Sequence, residues 1–263
     1  VIYLSGHIVI RDGGSVLASQ RRSERGQTEE RSKREERAER ILDAAAELML
    51  RWGYNKTTID DIARLAGVAK GTIYLHWKTR EDLFTALMRR EYIRLVEDIK
   101  QRIAGDPEGG TIQGITKHSM LATMKSPLMK AVLLRDTDLL GEWTRKEYAS
   151  ETFSEQIAQS LGLVELLRSH GVVRDDIDVR RQVYMLDAIT MGFLVIDQYM
   201  PADFKYSDEE VVEMVTEAIK RVFAPPGPQP DKKTKQETAN TLISSLDNVL
   251  AIRHRIDQEE FSS

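Results

Sequence analysis

Residues Thr57–Arg80, TTIDDIARLAGVAKGTIYLHWKTR, constrain the fold more tightly than any other stretch of the chain. Ile59, Ile62, Ala63 and Ala66 recur at i, i+3, i+4 and i+7, one apolar face of a short helix. Thr58 stands at the N-cap position with Asp61 three residues on, a carboxylate version of the capping box. Gly67 follows the last periodic residue, where a left-handed C′ position favours glycine. A second short helix is predicted from Ala69 to about Leu75, with Val68, Ile73 and either Leu75 or Trp77 turned inward. Lys70, Gly71, Thr72, Tyr74 and His76 then face outward.

Two helices joined by a short glycine-containing turn have the geometry of a helix-turn-helix. On the outward face, Gly71 lets another backbone come close. Lys70 brings charge, and Thr72, Tyr74 and His76 bring groups that bond to phosphates or base edges. An ordinary helical hairpin with a solvated polar face fits the bare pattern as well.

The charge is distributed unevenly along the chain. Overall the chain is mildly acidic, with 38 Lys/Arg against 42 Asp/Glu. Residues 21–90, however, hold 16 Lys/Arg against 12 Asp/Glu, and the residues after Arg90 hold 21 against 29. A basic head on an acidic body puts nucleic acid at one end only. Cysteine is absent, which excludes disulfides and thiolate metal sites. No apolar run approaches the roughly eighteen residues of a membrane span, so the expectation is a soluble, cytoplasmic protein without a membrane partner.

The remaining periodicity is helical, giving an all-α fold class. Residues 1–32 open on the apolar VIYLSGHIVI and pass into mixed charge; they read as a disordered or mis-called N-terminal extension, with a helical lead-in or a basic arm for the minor groove as alternatives. Helix one carries Ile41, Ala45, Leu48 and Trp52 on one face and ends at Gly53. Helix four starts at the N-cap Thr79, with Glu81 and Asp82 in its first turn, and runs to about Ile103. Its roughly 24 residues span ~36 Å, enough to join head to body. Helix five is predicted at about Thr111–Met124 and helix six at about Leu128–Leu140, with a further turn through Trp143. Helix seven follows at about Glu151–Ser169, helix eight at about Val179–Met200 and helix nine at about Asp208–Phe223. Helices eight and nine are apolar on two sides and so need two partners. One is their own core, and the other is the same pair in a second copy, making a homodimer through residues 179–200 and 208–223. A proline-rich linker, APPGPQPDKKTKQ, leads to a last amphipathic helix through Leu242, Leu246, Val249 and Ile256, either docked or loose.

Catalytic signatures are missing. GVAKGT lacks the spacing of a phosphate loop, and GxSxG, GxGxxG and HExxH do not occur. His7, His76, His118, His170 and His254 are scattered, so no metal site, cofactor or catalytic residue is nominated.

The stretch IARLAGVAKGTIYLHWKTREDLF resembles the DNA-binding signature of the tetracycline-repressor (TetR) family of bacterial regulators. The likeness covers about Arg37 to Met88, with Gly67, Val68, Gly71, Thr72, Tyr74, Trp77, Lys78, Asp82 and Leu83 in register. It departs at Ala69, where many relatives have serine, so the third helix lacks that cap. LLRSHGVVRDDIDVRRQVYML also resembles the family's approach to its eighth helix. The resemblance implies a three-helix head at 33–84, an effector-binding and dimerisation body at 85–224, and a linker and helical tail at 225–263. It implies DNA contacts from Lys70, Gly71, Thr72, Tyr74 and His76, with Lys78 and Arg80 on phosphates; Thr58, at the start of the first helix of the pair, is a further candidate DNA contact. The function it implies is that of a non-enzymatic transcriptional regulator, a repressor released from a palindromic double-stranded operator by a small-molecule effector. An effector-free architectural or replication-associated DNA-binding protein is the alternative. If an apolar effector lodges among helices five to eight, the expected contacts are His118, Met120, Met124, Trp143 and Met185, methionine being adaptable in shape.

Overall fold

The computed structural model of the chain describes residues 14–141, 143 and 151–262. Every regular element among them is helical. Helix α1, Gly14–Trp52, is 39 residues long and therefore begins inside the segment that the sequence assigns to an extension; residues 1–13 lie outside the described residues. A 3-10 turn at Tyr54–Lys56 leads to α2, Ile59–Ala66, and α3, Lys70–Tyr74. The long α4 covers Arg80–Ala104. The body then runs through α5, Ile112–Lys125; α6, Pro127–Leu134; α7, Thr137–Leu140; α8, Glu151–Ser169; α9, Val179–Val195; α10, Asp208–Phe223; and α11, Lys232–Ser262.

The starts and stops have local causes. Thr58 caps α2 by accepting from the Asp61 amide, and Gly67 closes it at φ 67°, ψ 38°, a left-handed conformation that a side chain would strain. Thr79 and Asp82 form a reciprocal capping box on α4, and Ser207 and Glu210 form one on α10. Ala69 offers α3 no side-chain cap, as its chemistry requires.

Two expected helices are shorter than their periodicity suggested. The single helix six through Leu140 and Trp143 is instead α6 and α7. Arg135 turns left-handed at φ 53°, and the Asp136 carboxylate accepts from the Asp138 and Leu139 amides to start a new helix. Aspartate at an N-cap outcompetes continuation because it satisfies amides that a helix start leaves bare. Helix eight ends at Val195 rather than Met200, passing into a 3-10 turn at Ile196–Gln198.

Two cores hold these elements. The first joins α1, α2, α3 and the start of α4 through Ile41, Leu48, Ile62, Ile73, Trp77, Phe84 and Leu87. It continues into α6 and α7 through Leu128, Met129, Ala131 and Leu140, so apolar packing crosses the division between residues 84 and 85. The second core joins the end of α4 to α5, α8, α9, α10 and α11, with Ile103, Ile115, Met120, Leu167, Leu194, Val215, Ile219 and Leu242. Helices α5 and α10 form its most extensive pairing. An ion-pair network also fixes α1 on α4. Arg90, nearly buried, meets Glu39, Asp43 and Glu91 at 3.2, 2.8 and 2.9 Å, and Arg94 meets Glu39 at 3.0 Å.

Candidate nucleic-acid interface

The short α3 presents its polar side because its apolar residues are anchored. Ile73 is fully buried and Trp77 is 6% exposed, whereas Leu75 is 73% exposed. Trp77 is thus the second inward anchor, not Leu75. The anchor pair leaves Lys70, Gly71, Tyr74 and Lys78 exposed and Thr72 half-buried at the rim. A Cβ at Gly71 would meet nothing, so the surface there is open to an approaching backbone.

Lys70 does not point freely into solvent. Its Nζ lies 2.8 Å from the Asp60 carboxylate of α2, and hydrogen bonding to that carboxylate raises the ammonium pKa. Thr58, beside Asp60, spends its hydroxyl on Asp61 at 2.6 Å while accepting from the Asp61 amide at 3.2 Å.

Two of the expected contacts lie differently from the sequence reading. Arg80 is turned inward, donating from Nε to the Thr57 carbonyl at 3.0 Å and from its terminal nitrogen to the Tyr54 carbonyl. Its guanidinium lies 3.9 Å from the Tyr54 ring centroid and 4.9 Å from that of Phe84. This is a brace between the start of α4 and the Tyr54–Thr57 turn, because a planar guanidinium reaches both carbonyls at once, that of Tyr54 also accepting from the Thr57 amide. His76 is half-buried rather than outward, its ring 5.3 Å from that of Trp77 and its Nδ1 enclosed without a partner among the described residues. Burial, then the nearby charges of Arg34 and Arg37, push its pKa below that of an ordinary imidazole.

Those two arginines were not read from the sequence as part of the site. Their signal was present: they continue the helix carrying Ile41, and α1 passes the end of α3. Asp60 was missed for a different reason, since its pairing with Lys70 depends on the angle between α2 and α3.

The five expected effector contacts do not share one environment. Met120 is buried in the second core, and Met124 and Met185 pack against that core. Trp143 instead belongs to the first core, with α6, α7 and the head. His118 is committed on one side, its Nε2 lying 2.8 Å from an Asp106 carboxylate oxygen, while its Nδ1 is buried with no partner among the described residues. Among the described residues no cluster of three or more His, Cys, Asp or Glu could hold a metal, and no helix is long and apolar enough to cross a membrane.

Residues 41–87 match the family described as bacterial regulatory proteins, tetR family. Over those residues the chain carries the DNA-binding domain of that family. The TetR-family match falls on α1, the α2–α3 pair and the first turns of α4, the elements that build the exposed surface just described. The chain is similar to the fatty acid metabolism regulator protein of Bacillus subtilis strain 168, at 39% identity over 87 residues. That match takes in 31% of this chain and 44% of the relative, so the aligned part spans under half of the relative's length. In fold the chain is similar to the transcriptional regulator FadR from Bacillus subtilis in complex with stearoyl-CoA. The TM-score is 0.51 at 23% identity, covering 68% of this chain and 96% of that one. It is also similar to SmeT in its complex with triclosan, with a TM-score of 0.55 at 18% identity, covering 74% and 99%. The all-α architecture of a TetR-type N-terminal helix-turn-helix domain followed by a helical domain is common to them.

Proposed function

We propose that the protein is a transcriptional repressor that binds a palindromic operator as a homodimer and leaves it when a small molecule binds the body. The observation that carries this is α3. Its buried face is fixed by Ile73 and Trp77, and its open face offers Lys70, Gly71, Thr72 and Tyr74 beside Lys78. Such a helix enters a major groove, where Lys70 and Thr72 reach base edges and Lys78 meets a phosphate. Leu75, exposed at the end of the helix, adds an apolar group suited to a thymine methyl. Arg34 and Arg37 add positive charge alongside.

Dimerisation is assigned to α9, α10 and the segment between them. This surface exposes Tyr184 at 77% and Tyr199 at 74%, with Phe204, Tyr206, Ile196 and Met214. Apolar exposure of that extent marks an interaction surface. The division into a head at 33–84, a body at 85–224 and a tail at 225–263 is kept for the head and body, with Ala239 and Leu242 of the tail packed into the body's core.

Two routes connect body to head. Helix α4 starts beside Lys78 and ends in the second core. Helices α6 and α7 reach the head directly, because the Asp138 carbonyl lies only 2.8 Å from where a Cβ on Gly53 would sit. A ligand among Met120, Met124 and Met185 acts on both. It shifts the equilibrium only by its differential affinity for the two arrangements of the heads, and a coupling of ~1–3 kcal/mol changes operator affinity about 5–150-fold. Stearoyl-CoA in the FadR complex and triclosan in the SmeT complex are ligands of those proteins; they support an apolar or amphipathic effector here.

Selection of duplexes from a random library, followed by footprinting, tests the reading. An enriched inverted repeat protected on both halves supports it. Protection of a single half-site by a monomer, or many weak unrelated sites, overturns it.

A further inference from the structure

The C-terminal helix α11 has no role in that scheme, yet it is built onto α4. Near its start, Lys235 Nζ meets the Glu108 carboxylate at 2.6 Å. Further along, Asp247 meets Lys100 at 2.7 Å, and Leu250 closes a buried cluster with Ile93 and Val96. As numbers rise along α11 they fall along α4, so the helix doubles back beside it toward the head.

The two halves of α11 are held differently. The first half is part of the body. Thr238, Ala239 and Leu242 are buried, and Ala239 and Leu242 belong to the second core. At this end the backbones nearly touch. A Cβ on Gly110 would lie 1.9 Å from the Lys235 carbonyl oxygen and 2.8 Å from the Ala239 nitrogen, so only glycine seats the helix here. The second half leaves that core and grips α4 through Leu250 and the partly exposed Lys100–Asp247 pair, with Leu246 touching both clusters.

We propose that α11 is an intrachain clamp that sets the resting tilt of α4 and so resists release of the operator. The inference rests on the reading of α4 as a link between body and DNA-binding head. One end of the clamp is fixed in the body and the other grips the middle of the link. Tilting α4 against the body must therefore slide Ile93 and Val96 off Leu250 and separate Lys100 from Asp247. Among the described residues of the gripping half only Leu250 is buried, so this half opens without unfolding the body.

The test uses the full chain and the operator recovered from the random library. Leu250→Asp places a charge against Ile93 and Val96. Asp247→Lys opposes Lys100, and the exchanged pair Lys100→Asp with Asp247→Lys restores the attraction. Hydrogen exchange at residues 240–251 reports whether the helix is seated, and fluorescence anisotropy reports operator affinity. Leu250→Asp and Asp247→Lys should each speed exchange there and weaken operator binding by about fivefold or more, the lower end of ordinary allosteric coupling. The exchanged pair should recover both. Faster exchange with unchanged operator affinity overturns the clamp alone. Unchanged exchange in every variant overturns it too, because these contacts would then not hold the helix. A wild-type chain that enriches no duplex overturns the operator reading itself, and the clamp with it.

Discussion

The Nζ of Lys70 and the carboxylate of Asp60 lie 2.8 Å apart, joining the first residue of α3 to the first turn of α2. DNA placed on this face meets a lysine already holding an anion. Both groups are well exposed, so the pair does little for folding. Asp60→Asn removes the internal competitor and one negative charge. Affinity for all duplexes should rise several-fold, and the slope of log affinity against log salt should steepen by up to about 0.9 if one further phosphate contact forms. Anisotropy titrations across a salt series measure both. Weaker binding by the variant would mean instead that Asp60 aims Lys70 at its target.

Arg80 and Lys78 are two residues apart and should respond oppositely. Arg80→Ala removes the hydrogen bonds to the Tyr54 and Thr57 carbonyls and the stacking over Tyr54. The expected loss is about 1.5–3 kcal/mol in unfolding free energy, the range for hydrogen bonds to a charged group. Denaturant unfolding measures it. Lys78→Ala, at an exposed position, should leave unfolding unchanged. A stable Arg80→Ala protein with impaired DNA binding would restore Arg80 to the phosphate contacts.

Lys78 and the α3 residues separate in specificity. Lys78→Ala should weaken binding to all sequences and flatten the salt dependence, as loss of a phosphate contact does. Lys70→Ala and Thr72→Ala should alter which bases are preferred, at about 1–3 kcal/mol per lost base contact. Library selection with each variant reads the preference directly. Altered preference from Lys78→Ala alone would mean that α3 is docked wrongly.

His76 gives stability a pH dependence of known sign. Its folded-state pKa is lowered, chiefly by burial and further by Arg34 and Arg37, so the folded protein favours the neutral ring. The unfolded chain takes up the proton first as pH falls. The stabilisation is complete above the ordinary imidazole pKa and is lost on acidification, from about pH 7 down through the lowered value. Thermal melts of the wild type and of His76→Gln should therefore converge between about pH 7 and pH 5, the wild type losing more. A wild type that gains stability relative to the variant over that range would contradict the burial of His76.

The α2–α3 pair was legible because its signals are local. The period of Ile59, Ile62, Ala63 and Ala66, the Thr58 cap and the left-handed Gly67 act within one or two turns, and the structure reproduces all three. The position of Ile73 and Trp77 fixes which side of α3 stays open, and only the choice between Leu75 and Trp77 needed the third dimension. Periodicity failed at residues 135–136, where apolar spacing continued but a left-handed arginine and an aspartate cap divided the helix. Trp143 lies in the head's core, whereas Met120, Met124 and Met185 lie in or against the second core.

What the sequence determined by itself is most of the helices and the identity of the helix-turn-helix. These follow from the spacing of apolar residues and from caps, which depend on neighbours a few residues away. Only the tertiary structure decided that Arg80 braces instead of reaching outward, that Lys70 is held by Asp60, that His76 is half-buried, and that α11 lies along α4. Each of those depends on partners from another element, 10 residues away for Lys70 and Asp60 and 147 for Lys100 and Asp247. A charged side chain takes whichever partner packing brings within reach, and apolar periodicity records which face of a helix is buried without recording what covers it.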